Sequence, residues 1–184
     1  IDVATSAIVQ TIPLGSGAEY PVDVVFSANG GTAYVSSRDD SVIVPISTST
    51  YAPGTPIAPP SSADGGKMVL NPCDSKIYAV DWFGPTLFVV DPVTSSFTSK
   101  TLGASLWDLA ISPDGGTLYV TDRGPDTLIV YNLATQTLTT SIPVCTDPWG
   151  IDITPDGSTL IVACEDAHAL SFVDTTTLTA TPLA

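Results

Sequence analysis

The chain of 184 residues is long enough to bury one sizeable core, and its 43% hydrophobic content is punctuated by 16 Pro and 14 Gly. Five Lys and Arg against 19 Asp and Glu leave a formal net charge of −14, which excludes nucleic acid and anionic lipid as natural partners, since both demand a basic surface. No run reaches the roughly 20 apolar residues of a membrane helix, so membrane insertion is not expected, and divalent cations or cationic polymers are the charged partners left open.

Thr, Val, Ile and Tyr outnumber good helix formers, a balance that favours strands. The chain opens on Ile1, inside a motif, so any targeting segment is expected upstream of it. Ile1 to Gly15, "IDVATSAIVQTIPLG", aligns with Tyr131 to Val144, "YNLATQTLTTSIPV", and reads as an outer strand. Four units then follow, over residues 21–63, 64–105, 106–147 and 148–184. They superimpose on Tyr34-Val35-Ser36-Ser37, Tyr78-Ala79-Val80-Asp81, Tyr119-Val120-Thr121-Asp122 and Ile161-Val162-Ala163-Cys164, at spacings of 44, 41 and 42 residues.

The first unit ends in "STSTYAPGTPIAPPSSADGG", whose four prolines weaken its outermost strand, because Pro removes a ladder donor and is tolerated mainly at edges. The third unit shows the plan most clearly. Trp107 to Ser112 is strand a, Pro113-Asp114-Gly115-Gly116 a turn, Thr117 to Thr121 strand b, Arg123 to Asp126 a loop, Thr127 to Tyr131 strand c, and Gln136 to Ile142 strand d. A period of 40–45 residues with four strands per unit predicts an all-β propeller of about four blades, with 1–15 a surplus outer strand of a further or shared blade.

The segments "PWGIDITPDGSTLIVA", "SPDGGTLYVTD" and "LFVVDPVTSSF" resemble the YVTN-repeat β-propeller family, and the similarity runs over essentially the whole chain. The resemblance implies an extracellular or cell-surface protein; relatives with similar blades include lactonase-like and quinoprotein-like enzymes. Four a–b–c sets and five candidate d strands leave three arrangements open. Residues 1–15 displace the C-terminal tail in a closed four-bladed ring, the chain is an excerpt of a longer array, or the spare strand completes a neighbouring copy in a homo-oligomer.

Propellers bind through the loops at one face and through the channel lined by strand a. The b–c loops carry Asp39, Asp40, Asp81, Asp122, Asp126, Glu165 and Asp166, and the starts of strand a carry Asp23 and Asp108, aligned with Lys67 and Gly150. Asp23 and Asp108 are candidate ligands for a hard cation such as Ca²⁺, against the plainer reading that Asp favours turns. No EF-hand spacing is present, and no other cofactor is expected.

His168, the single histidine, has no Ser or Cys motif beside it in sequence and reads as a surface-loop residue. Trp107 and Trp149 begin strands a, and Trp82 sits in a b–c loop. They are candidates to stack on a glycan or grip a peptide, or, for Trp107 and Trp149, to pack between blades; Trp82 is expected to be exposed. With Asp23, Asp108, Asp122 and Glu165 they form the candidate binding face. Among three cysteines, Cys145 and Cys164 are expected on one face and able to pair, and Cys73 on the other. A non-catalytic extracellular binding and structural module is the first functional reading. A lactonase-like or quinoprotein-like enzyme with carboxylates at the channel mouth is the alternative.

Overall fold

A computed structural model describes all residues except 1–3, 5–6, 16–17, 39–41, 59–63 and 184. Its elements are fifteen strands, with no helix among the described residues. Blade 1 comprises β1 (Pro21–Phe26), β2 (Thr32–Ser37) and β3 (Ile43–Ser47). Blade 2 comprises β4 (Gly65–Leu70), β5 (Ile77–Asp81), β6 (Thr86–Asp91) and β7 (Ser96–Thr101). Blade 3 comprises β8 (Leu106–Ile111), β9 (Thr117–Asp122), β10 (Thr127–Asn132) and β11 (Thr137–Pro143). Blade 4 comprises β12 (Pro148–Ile153), β13 (Thr159–Cys164), β14 (Ala169–Asp174) and β15 (Thr179–Leu183).

Each blade is an antiparallel meander in sequence order. The outer edge of blade 1 is held by isolated bridges, Ile43 to Ile57 and Ile46 to Pro53, rather than by a full ladder. Its prolines explain this, since each removes a backbone donor from the edge.

The four a–b hairpins share one irregularity. The register shifts between Pro21 and Asp23, Gly65 and Met68, Leu106 and Leu109, and Pro148 and Gly150. A bulge at the start of every strand a bends the inner strand at the same level. The a–b turns use the carboxylate chemistry expected of Asp. In blade 3, Asp114 Oδ1 accepts from Ser112 Oγ and Gly116 N, and Gly115 supplies φ +68°. A Cβ at Gly115 would lie 2.4 Å from Asn71 of blade 2, whose Nδ2 donates to Gly115 O.

Inner strands pack in the order β1, β4, β8, β12. The core lies between blades. Val25, Tyr34 and Ile43 of blade 1 meet Met68, Ile77 and Phe88 of blade 2. Tyr78, Val80 and Leu87 meet Leu109, Leu118 and Val120 of blade 3. Tyr119, Leu128 and Val130 meet Leu160, Val162 and Val173 of blade 4. Among the described residues, β12 and β1 are not a packed pair, so the four blades form an arc.

Of the outer strand expected over residues 1–15, residues 4 and 7–15 are described. Residues 8–15 join no ladder, and Ile12 and Leu14 instead pack on Val42, Val44 and Ile46, across the face of blade 1 that looks away from blade 2. Ala7 makes a single bridge, and beyond it burial of Ile12 and Leu14 helps to hold the segment in place.

Candidate functional site

Strand a of each blade puts one side chain at an equivalent level of the inner wall: Asp23, Lys67, Asp108 and Gly150. Both aspartates tie their own strand to the next. Asp23 accepts from Val24 N at 2.9 Å and from Met68 N of blade 2 at 2.9 Å. Asp108 accepts from Leu109 N at 2.8 Å and from Ile151 N of blade 4 at 3.3 Å.

Burial pushes Asp108 up to about 6; the two N–H donors and Lys67 act against that shift, and Asp23 adds to it. Lys67 Nζ stands 3.9 Å from Asp23. Among the described residues no three acidic, His or Cys side chains converge as a cation site would need. The geometry of Asp23 and Asp108 is that of a strand-to-strand clamp.

The last position of strand b performs a second tie, through a hydroxyl in blade 1, a carboxylate in blades 2 and 3 and a disulfide in blade 4. Ser37 Oγ donates to Glu19 O. Asp81 accepts from Asp64 N. Asp122, buried, accepts from Ala104 N and Ser105 N, both at 2.8 Å. Cys164 is joined to Cys145 in a disulfide, with Cα atoms 5.8 Å apart. In every blade the end of strand b thus fastens the segment leading into strand a. Asp122 is thereby removed from the solvent-facing surface, and Cys73 is the free cysteine among the described residues.

The three tryptophans form one row across three blades. Trp82 stacks on Trp107 at 4.9 Å and 11°, and its Nε1 donates to Trp107 O. Trp107 meets Trp149 at 4.1 Å and 59°. Trp82, expected to be exposed, is partly buried by this stacking, and Trp107 is buried.

The sequence reading missed Arg123, which completes the row. Its guanidinium lies 4.5 Å from the ring centres of both Trp107 and Trp149 and pairs with Asp147 through two nitrogens, at 2.5 and 3.0 Å. Asp147 also accepts from Trp149 Nε1 at 2.8 Å, and the Arg123 hydrogen bond holds its carboxyl below the usual range. One signal was available: Arg123 is one of only five Lys and Arg in the chain, and it follows the end of strand b in the blade that carries Trp107.

Phe83 packs edge-on to Trp107 at 4.9 Å and remains 63% exposed, so an accessible ring flanks the middle of the row. At the Trp149 end, Trp149, Glu165, His168 and Leu170 line an open cleft of about 630 Å³. Asp39 and Asp40 lie outside the described residues. The arrangement offers flat aromatic surface, one half-buried cation and an acidic rim.

Inter-blade packing of successive four-stranded meanders defines a β-propeller. Residues 86–181 match the family described as "Lactonase, 7-bladed beta-propeller", and the chain belongs to that family. No curated protein matches it by sequence. Among solved structures it is similar to hydrazine synthase of Kuenenia stuttgartiensis, at 20% identity and a TM-score of 0.82, over 95% of this chain and 51% of that one. It is also similar to a functionally unknown protein of Desulfotomaculum acetoxidans DSM 771, at 21% identity and a TM-score of 0.76, over 90% of this chain and 56% of that one. The chain therefore spans about half the length of these structures, and at such identities the likeness is one of fold.

Proposed function

We propose that this chain is a non-catalytic extracellular propeller module of the YVTN-repeat kind, binding a glycan or peptide on its b–c loop face. The observation that carries the reading is the Trp82–Trp107–Arg123–Trp149 row, flanked by Phe83 edge-on to Trp107, which opens into the cleft beside Glu165 and His168. Rigid aromatics supply contact area at low entropic cost, and their faces suit sugar rings or peptide side chains. The Cys145–Cys164 disulfide and the acidic balance support an oxidising, extracellular setting.

Tryptophan fluorescence tests the reading. Glycan and peptide libraries are screened for a shift in emission, and hits are repeated with Phe83→Ala and Trp149→Ala. Loss of binding at unchanged melting temperature supports the face; hits indifferent to both substitutions sink it.

The family match and Asp108 favour a second reading, lactone hydrolysis at the channel. A carboxyl titrating at about 6 is suited to general-base work near neutral pH. Turnover of a lactone panel that disappears in Asp108→Asn, with the fold retained, would place this reading first.

A further inference from the structure

The seam between blades 2 and 3 differs from the seam between blades 3 and 4 at three matched places. In blade 3, Leu128 of strand c pairs with Ile142 of strand d, and Ile142, 6% exposed, closes the outer part of the seam with blade 4. In blade 2 the same pairing joins Leu87 to Lys100. The fifth residue of strand c is Val173 in blade 4 and Tyr131 in blade 3. The residue before strand d has positive φ in both blades; it is Leu178 in blade 4, packed on the core, and Gln136 in blade 3. An apolar closure is thus replaced by a lysine, a phenol and an amide.

At these replacements lies a cleft of about 480 Å³ between blades 2 and 3, on the side of the a–b turns and away from the aromatic row. Leu87, Val89 and Leu133 supply its apolar lining, and Lys100 and Tyr131 its polar head. Lys100 Nζ donates to Tyr131 Oη at 3.0 Å and to the Gln136 carbonyl, and it lies 5.0 Å from the centre of the Tyr131 ring. All of these partners are neutral. The other charges of the cleft are already engaged: Lys76 stands 3.6 Å from Asp74, and Asp91 accepts from Val93 N and Thr94 N. Among the described residues, Lys100 meets no carboxylate, and the Tyr131 hydroxyl, which accepts from Lys100, has no acceptor for its own proton. That donor belongs to a residue only 4% exposed, where an unmatched polar group is costly.

We infer that this cleft is a binding site for a small organic carboxylate, whose oxygens accept from Lys100 Nζ and Tyr131 Oη and whose short apolar body lies on Leu87, Val89 and Leu133. The donors select the head group. They stand 3.0 Å apart, and an ionised carboxylate accepts from two donors at once, with charge-assisted strength. The volume selects the body, since a cleft of this size holds a small molecule. Lysine is otherwise a poor choice here, because an isoleucine, as at Ile142, would close the seam by apolar burial. The site is separate from the aromatic row and does not depend on what that row binds.

Hexanoate and N-acetylleucine are the probes, the first a free acid and the second a mimic of a peptide chain end. Hexanamide is the uncharged match of hexanoate. Binding is read from amide shifts in protein NMR spectra. The expected result is saturable shifts confined to β7 and residues 133–136, with hexanamide bound about tenfold more weakly or worse. Whichever acid binds more tightly tells a free acid from a chain end as the source of the carboxylate. Lys100→Met keeps the stem and removes the charge, and Tyr131→Phe keeps the ring and removes the donor. Each should weaken hexanoate by about tenfold while the spectrum away from the seam stays that of the parent. Neither acid shifting an amide at the seam overturns the inference. So does hexanamide bound as tightly as hexanoate, because the cleft would then be an apolar gap, and so does acid binding indifferent to both substitutions.

Discussion

Asp108 is a buried carboxylate whose charged form is disfavoured, and this sets the sign of its effect on stability. Its folded value, about 6, lies above the ordinary 3.8. The folded state therefore holds the proton more tightly between those two values, and this group's contribution to stability is lost as pH rises through that window. Asp91, Asp114, Asp147, Asp156 and Asp174 behave oppositely. Hydrogen bonds hold each below the usual range, Asp156 at about 2, so their contribution is lost as pH falls from about 4. We expect Asp108→Asn to flatten the fall in melting temperature between about pH 4 and 6 while leaving the acid limb unchanged; thermal melts at half-unit pH steps check this. Arg123 yields a second expectation. Lysine keeps the charge but loses the planar fork and the stacking surface, so Arg123→Lys should cost about 1–2 kcal/mol by chemical denaturation and red-shift the tryptophan emission.

The elements are held by repeated devices, and these separate stability from binding. The a–b turns face away from the aromatic row and have local roles. Asp114→Ala removes the acceptor for Ser112 Oγ and Gly116 N, at a cost of about 1 kcal/mol or less for so exposed a group. Denaturant midpoints should show this, with no change in any ligand response at the tryptophans. The segment over blade 1 is held by two half-buried side chains. Ile12→Ala should therefore destabilise by about 1–2 kcal/mol, less than a fully buried isoleucine would, and should accelerate hydrogen exchange in β3 before β9. The strand b ties make a further comparison. Cys145 and Cys164 close a loop of 19 residues' separation, so reduction should cost about 3 kcal/mol, read as a lower denaturant midpoint. The aspartate-tied blade 3 should be indifferent to reductant.

For the molecule as a whole, what was legible in sequence follows from the range of the interaction involved. Strand order, blade period and turn positions are encoded by alternation of apolar residues and by Pro, Asp and Gly at the a–b turns, all within about 45 residues of one another. The pairing of Cys145 with Cys164 is similarly local, at a sequence separation of 19. The aromatic row was half legible. Trp107 and Trp149 announce themselves by occupying equivalent strand starts, but their meeting, with Arg123 between them, depends on how adjacent blades are rotated. No spacing within one blade encodes that rotation. Likewise, Asp23 and Asp108 read as free channel carboxylates in sequence. Only packing brings Met68 N and Ile151 N to them from the next blade, which turns candidate ligands into clamps. The surplus strand illustrates the same division. Its composition specifies an outer strand, and so it reads as one. Whether it pairs depends on a neighbouring edge, which tertiary structure alone supplies or withholds. The sequence by itself determined the blade, because a blade is built from short-range pattern. The tertiary structure decided the arc and the clamps, because these arise where residues more than one repeat apart compete for the same apolar surface and the same backbone donors.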